Sequence, residues 1–262
     1  MARKAAIIGR RLQPCAYRAA FAAGLTHRGW AVESVEVGAV MPTCDLVVGW
    51  GLRSGGPYYR AQRERGGRVV VLERGYVGDR MIWTSVSQGG GLNGYGNFVT
   101  PDDGGERWDR HHAGVMQPWQ NRADGYVLIM GQVPGDMSLR HAGDINARYH
   151  DMRRGFEARG LKTKFRAHPG SAGLTHNPVP LATDLAGAKF TCCYNSNSGV
   201  DSVLAGIPCV TLDRGAMAYG VTGHTWDDPP TPDRSKWAHK LAWAQYLSEE
   251  MRSGFCQETL GL

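Results

Sequence analysis

Residues 188–213, AKFTCCYNSNSGVDSVLAGIPCVTLD, constrain the fold more than any other stretch of the chain. They read as strand, polar turn, helix, tight turn and strand. Residues 189–194 are a short β-prone run, and Asn195, Ser196, Asn197 and Ser198 make a turn of helix-capping residue types. Residues 199–205 then form a short helix with Val200, Val203 and Leu204 on one face. Gly206 ends it, Pro208 prevents its continuation, and 209–212 open a second strand. A strand that enters a helix through hydroxyl and amide side chains suits an anion, because the first helical N–H groups are unpaired and the dipole favours negative charge. An ordinary capped crossover helix has the same local pattern. The run of four capping residues followed by Asp201 favours phosphate over that plainer reading.

The rest of the chain repeats this alternation. Short apolar strands are expected at 5–9, 31–37, 45–49 and 68–72, with helices at 17–27 and 57–64. After 114–124, a linker, strands are expected at 126–130 and 161–166 around a helix over 144–159. Residues 183–187 lead into the central stretch, 214–234 are a loop, and a last helix runs from Ser235 to about Met251. Strand–helix alternation with short apolar strands predicts parallel α/β sheets. The 262 residues divide into two α/β halves: 1–113, and 125–234 with 235–262 as a terminal helix. Between the fourth strand and the linker, 75–112 is rich in Gly, aromatic and polar residues, has no helical period, and is too long for an idle connection.

Ligands of such sheets bind beyond the carboxyl ends of the strands. Three N-terminal strands end in arginine, at Arg10 and Arg11, at Arg53 and at Arg74, which predicts a row of guanidinium groups facing phosphate or carboxylate. The six cysteines contain no CxxC pair and read as neither a zinc site nor a disulfide framework, which predicts a reducing cytoplasm. No run approaches the roughly 20 apolar residues of a membrane span. A net charge of +6 fits a basic surface or a polyanionic partner equally.

Three segments, YVLIMGQVPGD at 126–136, RAHP at 166–169 and YNSNSGVDSVLAGIPCVTLD at 194–213, resemble in order and spacing the second half of GT-B glycosyltransferases. The likeness is to capsular-polysaccharide (Kdo-transferase-like) synthesis proteins and to a group of phage glycosyltransferases, which GYVGDRMIWTSVSQGGGLNG at 75–94 also resembles. The resemblance implies two Rossmann-like domains with parallel sheets facing a central cleft. It places the nucleotide sugar mainly in the C-terminal domain and lets the last helix cross back to the first. It also implies no catalytic metal and no cofactor beyond the sugar nucleotide, a UDP-sugar in the first instance.

By that resemblance, Gly131, Gln132, Arg166, His168, Asn195, Ser196, Asn197 and Ser198 hold the donor's nucleotide and phosphates. Asp201 bonds the helix start or orients His168, and Asp213 and Met217 meet the sugar or ribose. An inverting transfer needs a base for the acceptor hydroxyl, for which Asp79 is the first choice and Glu73 the second. The phage likeness points to DNA with a hydroxymethylated pyrimidine as acceptor, held by Arg10, Arg11, Arg53, Arg60, Arg63 and Arg74, with Trp83 and Asn93 in the Gly-rich segment. A monomer without membrane association is expected. A polysaccharide or small-molecule acceptor, and a sugar-nucleotide epimerase of similar fold, stay open as alternatives.

Overall fold

The computed structural model of the chain describes residues 2–10, 15–172 and 177–262. The first strand, β1 (Lys4–Gly9), buries Ala5, Ala6, Ile7 and Ile8, a continuous apolar run of the kind that sits in the middle of a parallel sheet. It leads through α1 (Ala16–His27) to the edge strand β2 (Ala31–Glu36), whose side chains are mostly exposed. Next come β3 (Leu46–Trp50), α2 (Gly56–Glu64) and β4 (Arg68–Arg74). All four strands are parallel, so their carboxyl ends, bearing Arg10, Arg53 and Arg74, lie along one edge of the sheet. Arg11 lies outside the described residues.

The Gly-rich segment is not a loop throughout. Residues Trp83–Gln88 form β5, antiparallel to β4, and Glu106–His112 form α3. The sequence of β5, WTSVSQ, lacks a hydrophobic run, yet five of its six residues are buried. Its polar groups are covered because both edges are paired, on one side by β4 and on the other by a strand from the far end of the chain.

The second sheet begins with β6 (Tyr126–Met130) and continues through α4 (Ile145–Glu157), β7 (Thr163–Arg166), α5 (Leu181–Ala186), β8 (Ala188–Cys193), α6 (Ser198–Leu204) and β9 (Cys209–Thr211). These strands are parallel in the order β7-β6-β8-β9. Asp144 caps α4 by accepting the N–H groups of Asn146 and Ala147. α5 is a helix that apolar periodicity does not announce. The core of this sheet is Val127, Ile129, Met152, Phe156, Phe190, Cys192 and Val210 with their neighbours.

The expected single C-terminal helix is broken. It becomes α7 (Ser235–Trp243), strand β10 (Gln245–Leu247), α8 (Ser248–Arg252) and α9 (Phe255–Thr259). β10 pairs antiparallel with β5, giving the first sheet the order β10-β5-β4-β3-β1-β2. Trp243, Tyr246, Met251, Cys256, Leu260 and Leu262 share a core with Ile7, Phe21, Leu25, Leu46 and Leu72. Gly24 makes that packing close: a Cβ there would lie 1.9 Å from the Met251 carbonyl oxygen, so only a glycine lets α1 and α8 approach this far.

Arg107, from α3, fastens the C-terminal segment. Its two Nη atoms donate to the two carboxylate oxygens of Glu250 at 2.6 and 2.7 Å, and its Nε and Nη2 also donate to the carbonyls of Ala242 and Gln245. The rings of Trp83, Trp243, Tyr246 and Phe255 surround the guanidinium. By its contacts the chain divides into one unit of Met1–His111 with Ala238–Leu262 and a second of His112–Trp237. Residues 114–124 are tied to the second unit: Gln117 and Gln120 donate from their backbone to Leu204 and Gly206, and Trp119 donates to the Pro232 carbonyl.

Candidate functional site

In the second unit, the parallel strands bring residues 131–132, 166–168 and 194–198 to the same edge of the sheet. Gly131 is buried there, and a Cβ would press the Phe165 ring at 3.0 Å and the Arg166 carbonyl at 3.3 Å. Gln132 and Asn195 clasp each other. The Gln132 Nε2 donates to Asn195 Oδ1 at 2.8 Å, and the Asn195 backbone N–H returns a bond to Gln132 Oε1 at 3.0 Å. The Asn195 Nδ2 also donates to the Ser138 carbonyl and to Asp213 Oδ1. Asp213 Oδ1 accepts the Gly215 N–H as well, at 2.6 Å. The Gln132 N–H donates to the Tyr149 hydroxyl, whose pKa burial pushes up to about 12, so that it stays protonated.

Gln132, Asn195 and Asp213 are all buried, with their hydrogen bonds made inside the protein. In this structure they brace the strand-end turns. Arg166 also has partners within the protein. It donates to Asp184 and to the Val179 carbonyl, with Lys164 on the other Asp184 oxygen at 2.7 Å. Burial alone pushes the Asp184 carboxyl up, but the bonds from Lys164 and Arg166 outweigh it and hold the group below its usual range.

His168, Ser196 and Ser198 remain turned to the surface. The imidazole is exposed, and its Nδ1 accepts the Gly170 N–H at 3.0 Å. That bond puts the proton of the neutral ring on Nε2, which makes Nε2–H an outward donor. Ser196 Oγ accepts from both the Ser198 N–H and the Ser198 hydroxyl, so its own O–H proton has other directions to point. Asn197 precedes α6 in helical conformation with no side-chain capping bond, unlike the expected cap. Asp201 sits in the first turn of α6, where a carboxylate favours its own helix dipole. Met217 is half-buried, and its carbonyl accepts from Trp237 Nε1.

The first unit separates its two carboxylate candidates. Asp79 Oδ1 accepts the Met81 N–H at 2.8 Å, and the Asp79 carbonyl accepts from Ile82 and Trp83. It is an exposed turn cap. Glu73 stands one residue before the end of β4, half-buried, with Oε1 accepting the Arg74 N–H at 3.0 Å. Its Oε2 lies 3.2 Å from the place a Gly51 Cβ would occupy, and its charge adds to burial in holding the Tyr59 phenol above its usual pKa.

Arg53 and Arg60 are exposed, as is Arg63, which donates to the Gly89 carbonyl. Trp83 and Asn93 both have partners within the first unit. Trp83 is buried edge-on to His111, and Asn93, with φ 51, accepts from the Tyr76 hydroxyl. Both pin the segment down. What sequence reasoning missed is an aromatic pair, Tyr17 and Trp50, beneath Arg74; only the parallel order β4-β3-β1 brings these three together.

Among the described residues no cluster of three His, Cys, Asp or Glu could hold a metal ion. Burial holds the Cys192 and Cys256 thiols well above their usual pKa, which removes them as nucleophiles. No described helix is long and apolar enough to cross a membrane.

No protein-family model matches the chain, and no curated protein matches it in sequence. Solved structures do. The beta Kdo 2,7 transferase of Thermosulfurimonas dismutans KpsC superposes with a TM-score of 0.59 at 13% identity, over 98% of this chain and 99% of that one. The beta Kdo 2,4 transferase of the same KpsC gives 0.55 at 16% identity, over 93% and 90%. The fold is GT-B. Both matches run nearly the full length of each chain, so the GT-B likeness includes both sheets.

Proposed function

We propose that the protein transfers a sugar from a nucleotide sugar to an acceptor hydroxyl, without a metal. The observation that carries this reading is the set of outward donors on the carboxyl edge of the second sheet. His168 Nε2–H and the Ser196 hydroxyl stand on turns braced by the buried Gln132–Asn195–Asp213 network. Such donors neutralise the charge that develops on a departing nucleoside diphosphate, and a rigid support keeps them in place without reorganisation. We take Glu73 as the base in preference to Asp79: it is half-buried at the end of a strand, whereas Asp79 is exposed in a turn.

The acceptor we propose is DNA carrying a hydroxymethylated pyrimidine, with Arg10, Arg53 and Arg60 on its phosphates. Support comes from the exposure of these arginines. A second reading is transfer of Kdo to a saccharide, favoured by the two Kdo transferases that share the fold over nearly the whole chain.

One experiment separates them. Purified protein is incubated with hydroxymethylcytosine-DNA, hydroxymethyluracil-DNA, unmodified DNA or a saccharide acceptor, each with a panel of UDP-, GDP- and CMP-sugars including the Kdo donor. Products are read by mass spectrometry. A sugar-sized mass gain on one modified base alone supports the DNA reading, and loss of that gain in Glu73→Gln but not Asp79→Ala supports the base. A gain on saccharide only overturns the DNA acceptor. No transfer to any acceptor overturns sugar transfer.

A further inference from the structure

We propose that Tyr17, Trp50 and Arg74 form a platform that binds a nucleotide of the acceptor, its base on the rings and its phosphate on the guanidinium. The inference rests on the reading of the first unit as the acceptor side.

Three elements meet to build it. Trp50 ends β3, Arg74 ends β4, and Tyr17 lies in the first turn of α1. The Tyr17 and Trp50 rings stack with centroids 5.1 Å apart and planes 29° apart. The Arg74 guanidinium carbon stands 5.3 Å from the first ring and 5.6 Å from the second. Its Nη1 donates to the Tyr17 hydroxyl at 2.7 Å, which in turn donates to the Met81 carbonyl at 2.5 Å.

All three side chains are half-buried: their inner sides rest on the core while part of each stays open to solvent. Beyond the Met81 anchor, the side chains of Met81 and Ile82 are 59% and 54% exposed and give an apolar rim.

The chemistry selects the ligand. Stacked aromatic faces take the flat face of a nucleobase or the C–H face of a sugar ring, and are indifferent to which. The guanidinium over them adds a cation whose planar fork matches a phosphate or carboxylate. The exposed Arg10 and Arg53 on the same edge of the sheet favour a nucleotide, whose neighbours along a nucleic acid carry further phosphates.

Isothermal titration of the full-length protein tests it, with thymidine 5′-monophosphate and glucuronic acid as probes and thymidine and glucose as their uncharged counterparts. We expect an anionic probe to bind at least about tenfold more tightly than its counterpart, with Trp50→Leu and Arg74→Gln each weakening it about tenfold or more. Trp50→Phe retains most of the binding. Tighter binding of glucuronic acid than of thymidine 5′-monophosphate overturns the nucleotide as occupant. UDP titrated in parallel reports the donor site: unchanged UDP binding in the Trp50 and Arg74 variants places their effect at the platform. Absence of UDP binding in every protein, with probe binding intact, overturns the donor reading and leaves the platform standing. Equal binding of charged and uncharged probes, or wild-type affinity in Trp50→Leu and Arg74→Gln variants of native circular dichroism, overturns the platform.

Discussion

Replacing Arg107 by alanine probes what holds the C-terminal segment to the first unit. In the native protein Arg107 is 6% exposed and Glu250 17%, so the pair is shielded from water. The substitution deletes four hydrogen bonds: two to the Glu250 carboxylate and one each to the carbonyls of Ala242 and Gln245. It also removes the cation from among the surrounding rings. Glu250 keeps the bond from the Leu247 N–H but loses its counter-charge. Breaking a buried pair from one side costs about 3–5 kcal/mol, and the residual exposure of Glu250 sets the expectation near the lower end, about 3 kcal/mol. For a protein of this size that lowers Tm by about 6–12 °C. Scanning calorimetry and urea unfolding measure it, with hydrogen exchange expected to rise first in β10. The double variant Arg107→Leu with Glu250→Leu is expected to lose less than Arg107→Ala, because no charge is stranded. A loss below about 1 kcal/mol, the range of a surface ion pair, refutes the reasoning.

Three further outcomes follow from the geometry. The Asp184 carboxyl is held low when folded, so its contribution to stability is present above its unfolded pKa and lost as pH falls through the lowered folded value. Urea unfolding from pH 7 to pH 2 is expected to show a shallower acid loss in Asp184→Asn than in wild type. Gly24→Ala places a Cβ 1.9 Å from the Met251 carbonyl oxygen and is expected to destabilise by about 1–3 kcal/mol, read from urea midpoints. His168→Ala is expected to weaken UDP binding about tenfold, while His168→Gln, whose amide nitrogen replaces Nε2–H, recovers part of it; equal loss in both leaves the ring's donor role without support.

The sequence alone determined the alternation of short apolar strands and helices. Runs such as AAII, LVVG and YVLIM suit only strands buried on both faces, and Gly and Pro mark their ends. The same local patterns placed the polar turns at strand carboxyl ends. Tertiary structure decided the rest. β5 and β10, WTSVSQ and QYL, carry no hydrophobic run and became strands because each offers the other an unpaired edge. The spacing of Trp237, Leu241, Ala244 and Leu247 reads as one helix until that pairing, and Arg107 from α3, intervene. The candidate site divides in the same way. A polar residue at a strand end is visible in the sequence, but its partner is not. Gln132 and Asn195 meet across 63 residues, Arg166 and Asp184 across 18, and Tyr17 and Arg74 across 57. Whether each side chain faces a ligand or a neighbour is fixed by long-range packing, and that packing left His168, Ser196 and Ser198 facing outward while it turned Gln132, Asn195 and Asp213 inward.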